Sequence, residues 1–161
     1  MTPKKRVYIE TTIPGAYLEE RPGPLQQAQR IWTRQWWDEQ RQRFELWTSA
    51  AVLDELRDEK FPLSKAALAM LDDIPLLKIT DEVLGLVSHY IARRAMPRDP
   101  EGDALHLAVA SFHRCDYVLT WNCQHLANPN KVQHLRLVNQ SLGLMMPELV
   151  TPAQLIESAY E

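Results

Sequence analysis

The sequence predicts an α/β protein: an α/β/α sandwich built on a parallel sheet of short strands. Three observations predict it. Helical periodicity alternates with short strand-like runs along the chain, the pattern of a parallel sheet covered by helices on both faces. The runs KRVYIE, FELWT and DYVLT are rich in β-branched and aromatic residues. No internal repeat or low-complexity segment breaks the alternation. The 161 residues fit a single domain spanning 1–161.

In chain order, residues 5–10 read as a buried first strand ending at two threonines and Pro14-Gly15. Residues 20–24 form a loop. From Leu25 to about Arg43 the pattern is helical, with Ala28, Ile31, Trp32, Gln35, Trp36 and Glu39 at three- and four-residue steps. Residues 44–48 are a second strand. Ser49 is a candidate N-cap for a helix over 50–59, with Val52 and Leu56 on one face and Glu55 beside them. Pro62 breaks the chain. A helix follows over 64–73, then a strand over 75–80, and Thr80 caps a helix from Asp81 to about Ala95. Residues 96–103 are turn-rich. In the next helix, 104–114, Ala104, Leu107, Ala108 and Ser111 make a small-residue face for close packing. A strand over 116–120, a loop over 121–130, a helix over 131–144, a short strand over 148–150 and a helix capped by Thr151 complete the chain.

Apolar residues make up 45% and charged residues 24%, a globular profile that can bury a core without disulfides. Lys and Arg total 18 against 21 for Asp and Glu, a net charge of −3, which argues against a general nucleic-acid coat protein. A local basic rim is compatible with that balance; its candidates are Lys4, Lys5, Arg6, then Arg41, Arg43, then Arg93, Arg94, Arg98, each cluster reading more simply as a solvated face. Cys115 and Cys123 form no C-x-x-C pair and fit a reduced compartment. No signal peptide is evident, and no apolar run approaches the roughly 20 residues of a membrane span, so a cytoplasmic protein without membrane contact is expected.

In open α/β sheets, ligands bind beyond the carboxyl ends of the strands. Glu10 ends the first strand, and Asn122 lies just past the strand over 116–120. Asp103 opens a helix, where the dipole favours a carboxylate. Glu55 sits early in the helix after the second strand. If these strands are adjacent, four oxygen-bearing side chains converge. Such clusters bind Mg²⁺ or Mn²⁺, ions that activate water and neutralise a phosphodiester. Taken alone, Glu55 reads as a solvated helix acid; position relative to strands raises Glu10, Asp103 and Asn122 above that level.

The segments VYIETT, AAVLDEL, GDALHLAVA and DYVLTWN, in this order and at these intervals, resemble the PIN-domain family, most closely bacterial toxins of the VapC kind. The resemblance runs from Val7 to about Leu155 and includes the closing TPAQLIE. It implies a PIN-like sandwich and a Mg²⁺- or Mn²⁺-dependent endoribonuclease, the toxin of a type II toxin–antitoxin pair. It also implies an RNA substrate, a small antitoxin partner and a homodimer. Glu10 stands where the family has its first Asp, Thr11 or Thr12 where it has a metal-supporting Ser/Thr, Glu55 at its Glu and Asp103 at its central Asp. Asn122 stands where most members have a fourth Asp, and Thr120 at the preceding Thr. Two positions depart. Glu10 is a methylene longer than Asp and must fold back to reach the same ion. Asn122 is neutral, leaving three negative charges instead of four, so weaker, RNA-assisted metal binding is expected. The alternative is a PIN-fold module that binds RNA or protein with weakened or lost nuclease activity.

His106 shares a helix face with Asp103. It either touches the scissile phosphate, orients an acid, or packs as a satisfied histidine beneath the pocket, the last being the commoner case. His125 either caps a turn or meets the substrate. His106, His113, Cys115, Cys123 and His125 lack the spacing of a zinc site. Trp32, Trp36, Trp37 and Trp47 suit a core or a protein interface better than base stacking, for which Trp121 is the better candidate. Receiver and phosphatase chemistry is disfavoured because VYIETT offers neither paired acids nor an Asp nucleophile, and no nucleotide-binding glycine motif is present.

Overall fold

A computed structural model describes residues 3–58, 60–61, 63–93, 102–122 and 129–160, of which 157–160 are described as backbone. Five strands form one all-parallel sheet: β1 (Lys5–Ile9), β2 (Phe44–Ser49), β3 (Leu76–Leu77), β4 (Tyr117–Leu119) and β5 (Glu148–Val150). Helices α1 (Thr12–Tyr17), α2 (Pro24–Gln35), α3 (Ala50–Leu56), α4 (Ser64–Met70), α5 (Asp81–Ala92), α6 (Asp103–Phe112), α7 (Pro129–Ser141) and α8 (Pro152–Tyr160) flank it, which is the expected α/β/α architecture.

The strand order is β3-β2-β1-β4-β5. The chain builds outward from β1 through β2 to β3, then crosses back to lay β4 on the other side of β1. The order therefore reverses between β1 and β4. That reversal makes the carboxyl ends of these two strands the switch point of the sheet, where such folds open a crevice. β1 is the central strand, and Val7, Tyr8 and Ile9 are fully buried. α6 is buried from Ala104 through Ser111. It packs on α5, and the small-residue face read from the sequence lies inside. There Tyr90 Oη donates to Asn139 Oδ1 at 2.5 Å, and Asn139 Nδ2 donates to Ser111 Oγ at 3.0 Å, tying α5, α6 and α7 together.

Several elements differ from the sequence reading. α1 follows β1 directly, where the sequence reads only a strand end and a turn. Pro14 is tolerated because it lies in the first helical turn, whose N–H groups have no intrahelical acceptor. The helix expected over 25–43 is three segments: α2, a π-helical turn over Trp36–Gln40 and a 3₁₀ turn over Arg41–Arg43. Its interior face is Thr33, Trp36, Trp37 and Gln40, so of the stripe read from the sequence Trp36 alone is buried, while Ile31 and Trp32 face outward. Two consecutive indoles, Trp36 and Trp37, lie in the interior at the start of the π-helical turn. The strand expected over 75–80 shrinks to a two-residue edge strand.

Among the caps, Thr80 Oγ1 accepts from Val83 N as expected. Thr151 forms a reciprocal box with Gln154: Gln154 N donates to Thr151 Oγ1, and Thr151 N donates to Gln154 Oε1. Ser49 has the extended backbone of an N-cap, but its hydroxyl makes no cap bond and turns to Tyr8 instead. Pro62, Arg94, Arg98, Cys123 and His125 lie outside the described residues. Among the described residues, no helix is long and apolar enough to cross a membrane.

α7 ends in a Schellman motif. Leu144 N donates to Asn139 O and Gly143 N to Gln140 O, with Gly143 at φ 74°. A Cβ at Gly143 would meet no atom within 4 Å, so the cost of a side chain there is purely that of the left-handed backbone. Gly143→Ala is predicted to lower the unfolding free energy by about 1 kcal/mol in urea titration. An unchanged midpoint would show that α7 ends differently.

Candidate metal centre

The crevice between β1 and β4 is where the sequence-predicted acids meet. Glu10 follows β1 and extends its pairing by one rung, its N–H donating to Leu119 O at 3.2 Å. Its side chain is 3% exposed. Burying a carboxylate is costly unless donors or a counter-charge replace water, and three donors converge on Oε2. They are Thr12 N at 3.1 Å, Thr12 Oγ1 at 2.5 Å and Thr120 Oγ1 at 2.7 Å. The longer Glu thus folds back on the residue two ahead, and the α1 turn supplies that residue. Both hydroxyls then accept in their turn, Thr12 Oγ1 from Trp121 N and Thr120 Oγ1 from Asn122 N, each at 2.9 Å.

Glu55 enters from α3. Its Oε2 accepts from Thr11 Oγ1 at 2.6 Å, and its Oε1 accepts from His106 Nε2 at 2.6 Å. His106 rises from α6 and is 1% exposed. Its other nitrogen, Nδ1, lies 2.7 Å from Tyr8 Oη, which lies 2.8 Å from Ser49 Oγ. Glu10, Glu55 and His106 offer atoms that all lie within 4.8 Å of one another, a group of side chains that could hold a metal ion. Asp103 sits beside this group. Its Oδ1 accepts from Asn122 Nδ2 at 2.9 Å, and its charge acts on His106.

Of the residues singled out in the sequence, Glu10, Thr12 and Thr120 form one hydrogen-bonded group and Thr11, Glu55 and His106 another; the two meet where Glu10, Glu55 and His106 converge, and Asp103 pairs with Asn122 beside them. His106 is the satisfied, buried histidine, and it also orients an acid. Two of the three basic clusters stand away from the site. Lys5 and Arg6 begin β1 and Arg43 immediately precedes β2, so Lys4–Arg6 and Arg41–Arg43 stand at the opposite end of the parallel sheet from Glu10. Tyr8 and Ser49 also belong to the site, though the sequence does not single them out as part of it. Strand alternation carried the signal for Tyr8, since residues two apart on a strand share a face and Tyr8 precedes Glu10 by two. Ser49 was hidden by its N-cap position.

Burial pushes the Glu10 pKa up, and the charge of His106 and the threonine donors offset this only in part. Burial opposes the His106 imidazolium, but the hydrogen bond to Glu55 and the charges of Glu10, Glu55 and Asp103 prevail and raise its pKa. Among the described residues, neither Glu10 nor Glu55 forms an ion pair with Lys or Arg. Among the same residues, no hydrogen bond reaches Glu10 Oε1. Two adjacent carboxylates, one of them buried and neither paired with Lys or Arg among the described residues, could hold a metal ion. His106 fits less well as a ligand, because both of its nitrogens already hold hydrogen bonds; its geometry is that of a donor to Glu55.

A cleft of ≈ 620 Å³ opens alongside and shares Thr12 and Trp121 with the network. Its apolar lining includes Leu18, Phe61 and Leu63. The Phe61 ring lies over Gly15, where a Cβ would stand 3.4 Å from a ring carbon, an ordinary contact. Trp121 is pinned by its Nε1–H, which donates to Thr33 Oγ1 at 2.8 Å. A planar group beside the acids would meet a fixed indole.

Raised pKa values make the metal-free centre sensitive to alkali. Glu10 and His106 both bind protons more tightly when folded than at their ordinary values of 4.5 and 6.5. Each contributes stability that is complete below its ordinary value and lost as pH rises through its folded value. With chelator present, the urea midpoint is predicted to fall as pH rises through the window that opens at the ordinary glutamate value of 4.5 and extends above the ordinary histidine value of 6.5. Glu19, whose pKa lies near 2 because of Arg21, changes stability only on the acid side of this window. A midpoint that rises across the window would contradict the arrangement.

No family model matches this chain, and no curated protein matches it. The chemistry of the centre therefore rests on its geometry.

Proposed function

We propose that this protein is a Mg²⁺- or Mn²⁺-dependent endoribonuclease of the PIN kind, the toxin of a type II toxin–antitoxin pair. The observation that carries the proposal is the meeting of Glu10 and Glu55, without a Lys or Arg partner among the described residues, at the switch point of a parallel sheet. Glu10, Glu55 and Asp103 would hold the cation. When bound, such an ion supplies an activated water and neutralises the phosphodiester.

The chain's own residues prepare that site. Thr12 and Thr120 grip one oxygen of Glu10, while Thr11 and His106 grip both oxygens of Glu55. Trp121 offers a fixed face on which a base can stack. An antitoxin, a cytoplasmic location and a homodimer belong to the same proposal. The exposed Leu25, Ile31 and Trp32 of α2 are apolar surface that a second chain could cover.

A second reading is a binding module with lost chemistry. It is favoured by the pairing of Asn122 with Asp103, which satisfies an acid of the proposed metal set with a neutral amide. Incubation of the purified protein with Mn²⁺ and a panel of structured RNAs separates the two. The nuclease reading predicts fragments that disappear with chelator and fall roughly 100-fold or more in Asp103→Ala. An absence of cleavage, or cleavage that survives Asp103→Ala, would leave the binding module.

A further inference from the structure

We propose that Tyr8, backed by Ser49, is a positioning device for the acidic centre: it fixes the ring of His106 so that Nε2–H always faces Glu55. The inference builds on the ribonuclease reading for its effect on turnover, but its structural content stands without it.

The device is a linear chain of side chains. Ser49 Oγ, Tyr8 Oη, His106 and Glu55 follow one another at 2.8, 2.7 and 2.6 Å, and Thr11 closes the far end at 2.6 Å. Its members come from β2, β1, α6 and α3, with Thr11 at the entry to α1. Elements distant in sequence therefore agree on the placement of one carboxylate. Glu55 is the member that needs holding. It is a third exposed, on a seven-residue helix, and a free Glu side chain would sample several rotamers there. His106, by contrast, is locked within the core.

The hydroxyl pair suits this task because it can reverse. With a neutral imidazole, Nε2–H donates to Glu55, Tyr8 donates to Nδ1, and Ser49 donates to Tyr8. With an imidazolium, Nδ1–H donates to Tyr8 and Tyr8 donates to Ser49. The bond from Nε2–H to Glu55 is the same in both cases. A backbone carbonyl at Nδ1 could serve only a protonated Nδ1. A carboxylate there would add a further negative charge to the cluster. A buried phenol avoids both limits, and its ring packs beside the imidazole with centroids 5.7 Å apart. The arrangement makes His106 a donor that orients an acid, a role that hydrogen-bonded neighbours of metal ligands commonly fill.

Two measurements test the proposal. In the metal-free wild type, ¹⁵N-resolved imidazole NMR is expected to show a downfield Nε2 proton on His106 that exchanges slowly with water. In Tyr8→Phe, which keeps the buried ring and removes the hydroxyl, exchange of that proton is expected to accelerate at least about tenfold, with the backbone amide spectrum otherwise preserved. An unchanged proton in Tyr8→Phe overturns the proposal. So does the absence of a protected Nε2 proton in the wild type, a result that needs no variant to fold. The second measurement applies once cleavage is seen: Tyr8→Phe is expected to lower kcat about 10–100-fold. His106→Gln, whose amide N–H can donate to Glu55, is expected to recover part of what His106→Ala loses, whereas equal loss in the two would overturn the positioning role. If the wild type cleaves no RNA, the nuclease reading fails while the NMR result still decides the role of Tyr8.

Discussion

A carboxylate buried at the middle of a parallel sheet has to be answered by donors or by a cation. Glu10 is such a group, and much of the local structure is its answer. The chain turns into α1 immediately after β1, which returns the Thr12 amide and hydroxyl to Glu10 Oε2. Thr120, at the end of β4, supplies the third donor from across the crevice. The same two hydroxyls then fix the backbone of Trp121 and Asn122. One acid thereby sets the path of two chain segments and the place of an indole. Three donors reach one oxygen, and the other oxygen is where the charge still calls for a partner.

Topology explains why this happens where it does. Because β4 is laid beside β1 only after β2 and β3 have been added on the other side, the carboxyl ends of β1 and β4 border the switch-point crevice of the sheet. α6 precedes β4 and carries Asp103 and His106 to the same end of the sheet, and α3 follows β2 and carries Glu55. The acids are far apart in sequence and converge because parallel strands all end on the same side. The basic clusters at the starts of β1 and β2 are excluded from the site by the same rule.

The fold was legible in the sequence because hydrophobic periodicity reports burial directly. The strands at VYI and YVL and the apolar helix from Asp103 could hardly be read otherwise. α1 was not legible, since Pro14 and Gly15 signal a turn in any local reading and only the demand of Glu10 for donors makes a helix there useful. The inward face of the aromatic helix is not legible because Thr33, Trp36, Trp37 and Gln40 also follow three- and four-residue steps, but two of them are polar, so hydrophobicity favours the neighbouring stripe with Ile31 and Trp32. For the centre, the positions of Glu10, Asp103 and Asn122 relative to strands were enough to locate it. Of its hydrogen-bond partners, Thr11, Thr12, Thr120 and His106 are legible, while Tyr8 and Ser49 are not. Tyr8 and Ser49 look like a core aromatic and a helix cap, and their joint contact with His106 depends on strand pairing that the sequence does not state.

Crystals grown or soaked with Mn²⁺ test most directly whether the side chains of the centre are arranged around a cation. Anomalous scattering is predicted to give a peak between the carboxylates of Glu10 and Glu55, with His106 Nε2 still within hydrogen-bonding distance of Glu55. Well-ordered carboxylates with no anomalous peak at saturating Mn²⁺, or a peak elsewhere on the surface, would contradict that arrangement. In that event the acids, threonines and histidine would be a closed hydrogen-bond network with no metal to hold.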